Sequence, residues 1–521
     1  MPEHATPARA DLRVFSPAAV ALCVALVASP AVRAQMGMTV IQDAHVLVGD
    51  GEEIESTSIT LRGDKIMGVG RAPSGPMALL AKKIPAEGKY VTPGLIDVWC
   101  DLASRGAARS GAATALAEDN FDRFAESELR AALRNGVTAV YLPPSGGDGI
   151  TGLGAVMRLL PGGEPDVVTL RSRAALASRV GADGSSGPLR RVQTAESLRK
   201  AFADALAYRE ALDQYEEDLK EYEKKLKEYV ENWEKKQGKD DDQGEKAESK
   251  PAKEKGGGSG DDQRTPRRRR RPRSSGDFTD VEGADPPASA GAFAPNGGGE
   301  GEGRKERSGD KKKKDDAPKK PERPERDPEK ETLLDVIDGK LYWRVEAYRP
   351  ADILNVLEIA QEFNLALVLE GATGAHRLSD RLAEAGVKVI SDARPPSVMY
   401  AGGVQRDRSP DNVGRLHAAG VAVYLGSGRG VGGAPVTPHL MAIAAQAVAE
   451  GLDQATALKR ITGDAAELLG IDESVGRIAS GMDADLVIWS DHPMSPGARV
   501  ERVFVAGKEV YRAPERKGGA E

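Results

Sequence analysis

Two carboxylates, Asp101 and Glu346, stand where this chain could do chemistry. Each lies at the end of a short apolar run that reads as a buried strand, Leu95-Ile96-Asp97-Val98 for the first and Trp343-Arg344-Val345 for the second. Carboxylates at the ends of successive strands can divide acid and base roles, because burial and mutual repulsion shift their pKa values. They could also share a hard cation such as Mg²⁺ or Ca²⁺, which prefers oxygen ligands. The simpler alternative is polar filling of a pocket, with Glu346 paired to Arg344 or Arg349. Imidazole adds little to either reading. His4 is near the N-terminus, His45 and His492 lie in β-rich stretches, and His376, His417 and His439 open or lie within helical ones. Such positions fit surface or capping histidines. Neither Ser145 nor Ser427 sits in a nucleophile-elbow pattern. Gly146-Gly147-Asp148-Gly149 lacks the Lys-Ser/Thr that must follow in a phosphate loop.

The elements that position these residues alternate. A helix over 121–135 is stopped by Gly136, and Val137–Leu142 reads as a buried strand before a glycine-rich loop, 143–154. Strands are expected at 167–170, 343–348, 365–370, 387–391 and 421–425, separated by helices over 351–363, 376–385 and 411–419. With the strand at 95–98 this makes seven, one short of eight. Repeated strand and helix imply parallel βα units, hence an α/β barrel of the (β/α) type. Outside it, 40–69 and 476–510 read as short antiparallel strands parted by turn residues.

The stretch Val91-Thr92-Pro93-Gly94-Leu95-Ile96-Asp97-Val98-Trp99-Cys100-Asp101-Leu102 closely resembles the signature that opens the catalytic barrel of the amidohydrolase superfamily. There, Pro-Gly-Leu-Ile-Asp is followed by His-x-His, and the two histidines hold a catalytic metal. Gly476-Arg477-Ile478-Ala479-Ser480-Gly481-Met482-Asp483-Ala484-Asp485-Leu486-Val487 resembles the family's closing module. Gly146–Gly149 is similar to a substrate-side loop of imidazolonepropionase-like amidohydrolases. The resemblance implies a TIM-like barrel beside a β-sandwich built from both chain ends. Residues 35–92 and 471–521 would form the sandwich, and 93–204 and 332–470 the barrel.

The same resemblance locates the metal ligands, and this chain departs from each of them. Trp99 and Asp101 take the places of the first two histidines. In Arg344-Val345-Glu346-Ala347-Tyr348-Arg349-Pro350-Ala351-Asp352-Ile353, Glu346 and Tyr348 take the next two. Gly371 replaces a histidine after Glu370, which itself matches a family glutamate, and Gly428 replaces the final aspartate. No lysine at a strand end offers a carbamylated bridge. A metal in that family polarises the carbonyl and activates water. The expectation here is therefore a degenerate amidohydrolase-fold protein that needs no cofactor and acts in binding or scaffolding. The alternative is a metal-dependent or rebuilt-site hydrolase of C–N bonds, with Asp101 and Glu346 as ligand and base and a divalent metal as cofactor.

Length and composition bound the rest. At 521 residues there is room for one barrel and smaller modules, and a net charge of −7 makes no overall case for nucleic acid. Arg9 and Arg13 before an apolar run over 18–28, then Val32-Arg33-Ala34, have the layout of a secretory signal peptide over 1–34. Export to the periplasm or medium is expected, with no membrane span afterwards. Cys23 would leave with that segment, so Cys100 has no disulfide partner. In 205–237, Leu212, Tyr215, Leu219, Tyr222, Leu226, Tyr229 and Trp233 are spaced three and four apart, a coiled-coil seam. It would serve a homo-oligomer, another exported partner, or packing on the chain's own barrel. Residues 238–331 are charged and nearly free of apolar side chains, which predicts disorder. The Arg267–Arg271 run inside it is flanked by acidic clusters, with no aromatic interleaved, and reads as solvated linker.

Overall fold

A computed structural model describes residues 37–74, 81–104, 112–160, 167–181, 187–244, 317–393, 408–429 and 439–514, with the backbone alone for 236–244. The segment expected to direct export, the Arg267–Arg271 run and most of the charged tract lie outside these residues. The chain divides into two compact units, Met1–Asp213 with Pro324–Glu521, and Gln214–Arg323.

In the first unit the chain ends combine in one sheet. Its strands are β1 (Met38–Leu47), β2 (Glu53–Arg62), β3 (Lys65–Gly70), β4 (Lys82–Pro85), β5 (Tyr90–Pro93), β14 (Leu486–Trp489), β15 (Val500–Val505) and β16 (Lys508–Arg512). The order is β16-β15-β14-β5-β1-β2-β3, with β4 on β1. Thr92 of β5 stands opposite Val487 of β14, which joins the beginning and end of the chain.

The middle builds a second sheet of eight strands, lying in sequence order. They are β6 (Leu95–Asp97), β7 (Val137–Leu142), β8 (Gly149–Leu159), β9 (Val167–Val180), β10 (Tyr342–Ala347), β11 (Leu367–Gly371), β12 (Lys388–Ser391) and β13 (Ala422–Leu425). From β9 to β13 all pairs are parallel, as is β6 with β7. Both faces are buried. Ile96, Ala139, Tyr141, Val156, Val368, Ile390 and Tyr424 share one apolar cluster, while Val137, Trp343, Val345, Leu369, Val389 and Val423 belong to the other. That two-sided burial is why these strands read as nearly continuous apolar runs.

β8 corrects the expectation twice. It supplies the strand missing from the count, in a segment expected to be loop as far as Gly154, and its pairs with β7 and β9 are antiparallel rather than βα crossovers. Two of its glycines mark close approach, not looseness. A Cβ at Gly152 would run into the Ala115 carbonyl, and one at Gly154 into the Tyr141 hydroxyl. β9 also runs well past the expected end at Leu170.

Helices α1 (Glu126–Arg134), α2 (Pro188–Gly244), α3 (Pro328–Ile337), α4 (Pro350–Glu362) and α5 (Asn412–Ala418) stand among the connections. α2 starts earlier than the boundary expected at residue 205. Its first turns belong to the first unit, where Leu198, Phe202 and Ala205 are buried and Phe202 meets Trp343 edge-on at 5.2 Å. α3 begins inside the tract expected to be disordered. Asp327 caps it by accepting the N–H groups of Glu329 and Lys330, both at 3.2 Å, and Pro328 suits the first turn.

In the second unit α2 continues from Gln214. Tyr215, Leu219, Tyr222, Leu226 and Tyr229 are half-buried, and the residues between them are exposed. The stripe read from the sequence is thus half-buried as far as Tyr229, while Trp233, its last member, is exposed.

Candidate functional site

Strand alternation decides which side chains meet. Along β10, Trp343, Val345 and Ala347 point to one face, so Arg344 and Glu346, with Tyr348 just beyond, point to the other. Register then supplies the partners. Glu346 stands opposite Arg179 on β9 and opposite Glu370 on β11.

The Glu346 carboxylate, 1% exposed, lies 3.0 Å from Arg179 Nε and 2.8 Å from Arg429 Nε, and accepts the Tyr348 hydroxyl at 2.9 Å. Arg179 Nη1 also donates to the Gly146 carbonyl at 2.5 Å, and Arg429 Nη2 to that of Pro144 at 3.2 Å. The glycine-rich segment between β7 and β8 therefore aims backbone carbonyls at two guanidiniums. Burial pushes the Glu346 carboxyl up, but Arg179 and Arg429, helped by Tyr348, outweigh it and hold the group below its ordinary range.

Below lies a second ion pair. Arg344 Nε is 2.6 Å from Glu370 Oε1, its Nη2 donates to the Val98 carbonyl at 2.6 Å, and the guanidinium sits 3.5 Å from the centre of the Tyr141 ring. The expected pairing of Glu346 with Arg344 or Arg349 is therefore replaced: Arg344 serves Glu370, and Arg349 acts on Asp352. Burial raises the Glu370 carboxyl despite Arg344. Asp97, the last residue of β6, meets the segment that follows β13. Its Oδ1 accepts the N–H groups of Trp99 at 3.1 Å and Ser427 at 3.0 Å, and burial pushes the carboxyl up to about 6.

The positions matched to metal ligands take other parts. Trp99 is buried, with no hydrogen-bond partner for its Nε1. Its carbonyl accepts the Gly428 N–H at 2.8 Å, and Cys100 forms a parallel bridge with Gly428, so the segments beyond β6 and β13 are joined. Tyr348 is buried against Gly371. Asp101 is half-buried and acts on the Asp97 carboxyl; Glu346 accepts hydrogen bonds from Arg179 Nη2 and the Tyr348 hydroxyl and is ion-paired with Arg429.

Glu346 does not fit a divalent cation: its buried carboxylate is held by two fixed positive charges, and a third cation there would meet repulsion rather than a vacant ligand. Among the described residues no group of three or more His, Cys, Asp or Glu gathers to hold a metal. The histidines lie elsewhere: His45 stacks on Tyr90 at 5.0 Å, His492 meets the same ring at 5.2 Å, and His376 sits 3.2 Å from Asn412 Oδ1. Burial drives the Cys100 thiol well up, so it is a packing residue rather than a nucleophile.

The residues missed from sequence are Arg179, Arg429 and Asp97. Arg429 lies beside Gly428 in a strand-end motif already singled out, and Asp97 lies within the opening signature. Arg179 was hidden because its strand was expected to end before it.

Residues 328–510 match the model of the Amidohydrolase family. An imidazolonepropionase of Stenotrophomonas maltophilia (strain R551-3) is 29% identical over 161 residues, 27% of this chain and 39% of that protein. One from Rhizobium meliloti (strain 1021) is 28% identical over 207 residues, 35% of this chain and 49% of that protein. The chain thus spans less than half the length of these curated relatives. A crystal structure of an amidohydrolase from Thermotoga maritima MSB8 matches with a TM-score of 0.58 at 22% identity, over 91% of this chain and 100% of that one. This likeness of fold agrees with the two sheets and with the motifs that open and close them. Together these findings support the amidohydrolase superfamily, with residues 328–510 matching its family model.

Proposed function

We propose that this is an amidohydrolase-fold protein whose metal-dependent hydrolase site has been given over to an internal ion-pair network, leaving a protein that works by binding or scaffolding. The observation that carries this reading is Glu346, its carboxylate shared between Arg179 and Arg429. The eight-stranded sheet is taken to close as a barrel, which the Cys100–Gly428 bridge beyond its two edge strands supports. The layout of residues 1–34 supports export. No described helix is long and apolar enough to cross a membrane.

The alternative, C–N bond hydrolysis with Asp101 and Glu346 as ligand and base, asks for a basic Glu346. A carboxylate held below its ordinary range by two guanidiniums is a poorer proton acceptor. The test is the metal content of purified protein, with thermal unfolding in added Zn²⁺ or Mn²⁺. The expected result is less than stoichiometric metal and an unmoved Tm. One or two tightly held transition-metal ions per chain, or a rise in Tm that grows with metal concentration, would overturn the proposal.

A further inference from the structure

Residues 317–327 adopt neither helix nor strand, yet their burial is periodic. Pro318, Pro321, Pro324 and Asp327 are half-buried, while Lys319, Lys320, Glu322, Arg323, Glu325 and Arg326 are exposed. Period three is that of a polyproline II helix, which turns once in ~3 residues and presents one edge continuously to whatever it lies on. The face that needs cover within the second unit is the Leu/Tyr stripe of α2, which is half-buried while its flanks are exposed.

We propose that residues 317–323 form a polyproline strap lying antiparallel along the Leu219–Tyr229 face of α2, so that the second unit is a hairpin closed by this chain itself. The register is set where strap and helix meet. The Asp327 N–H donates to the Tyr208 hydroxyl at 3.4 Å, and Lys330 Nζ lies 5.5 Å from the centre of the Tyr208 ring. From that anchor, three strap residues advance ~9.3 Å and seven helix residues ~10.5 Å. Tyr208, Tyr222 and Tyr229 fall on this seven-residue rhythm. Two steps bring Pro321 level with Tyr222, and a third brings Pro318 level with Tyr229. Prolines docked between aromatic rings are a favoured use of this conformation, because the strap gives up little entropy on binding.

Amide hydrogen exchange on the full-length protein tests this, with Pro318→Gly/Pro321→Gly compared against Lys319→Ala/Lys320→Ala. The proline variant is expected to exchange at least tenfold faster over 214–235, with the lysine variant and the first unit unchanged and all three chains sedimenting alike. Protection over 214–235 that survives loss of both prolines would overturn the proposal. So would protection that grows with protein concentration, which would place a second copy on the stripe.

Discussion

The ring of Tyr348 occupies the space that a side chain at Gly371 would need. A Cβ at Gly371 would lie 2.5 Å from Tyr348 Cε1 and 2.9 Å from Cζ, and the backbone there has φ +80°. The two positions that the family resemblance matched to histidines are thus in contact: the ring at one fills the space beside the other. Gly371→Ala is expected to cost about 1–3 kcal/mol, from overpacking and from the left-handed backbone together. In a Tyr348→Leu background the overpacking part should vanish and the cost shrink. Urea unfolding of the two singles and the double measures the coupling. Equal costs in both backgrounds would show that the ring is not what excludes the side chain.

Glu346 provides the sharpest stability prediction. Glu346→Gln removes the counter-charge from two guanidiniums whose side chains are 17% and 16% exposed. Removing one partner of a buried pair typically costs ~3–5 kcal/mol, and the Gly146 and Pro144 carbonyls that the two guanidiniums keep should hold the loss to the lower end. Asp101→Asn, at a half-buried rather than a buried position, should cost much less. If both substitutions lower the unfolding midpoint equally, Glu346 is not the centre of the cluster.

Arg158 does comparable work between the two sheets of the first unit. On β8, its Nε lies 3.0 Å from Asp485 Oδ2 and its Nη2 2.6 Å from Asp483 Oδ2, while Asp485 Oδ1 accepts the Ala506 N–H at 2.7 Å. The Asp-Ala-Asp of the closing motif is therefore a receptor for a planar fork. Arg158→Lys keeps the charge and loses the fork, so it should fall between wild type and Arg158→Ala, which is expected to cost ~3–5 kcal/mol. A lysine variant as stable as wild type would mean that charge alone suffices.

The parts of this molecule legible in its sequence are those with a local period or a fixed motif. Val137–Leu142 and the strands bearing Glu346 and Glu370 announce themselves by apolar runs, and the β-rich ends by turn residues. β8 escaped because Gly149, Gly152 and Gly154 resemble a loop until the groups that Gly152 and Gly154 approach are known. The network around Glu346 was half visible. Its carboxylate stood out at a strand end, but Arg179 is far away in sequence, and only sheet register brings the two opposite each other. Register between distant strands leaves no mark in either strand's own composition.

Asp97 makes the pH dependence of stability testable. Its carboxyl is pushed up to about 6 in the folded chain by burial, against an ordinary value of 3.8. Below 3.8 both folded and unfolded chains hold the proton, and the group costs nothing. Between 3.8 and 6 the unfolded chain releases its proton first, so native stability falls as pH rises. Above 6 the full cost is present, about 3 kcal/mol at ~1.4 kcal/mol per pH unit. Asp97→Asn keeps an oxygen for the Trp99 and Ser427 N–H groups and cannot ionise. Relative to wild type, the variant should therefore gain stability steadily from pH 4 to pH 7 and level off beyond. Taking the difference between two otherwise identical chains cancels the other carboxylates. Urea midpoints at several pH values give that difference, and a flat line would show that Asp97 does not titrate in this window.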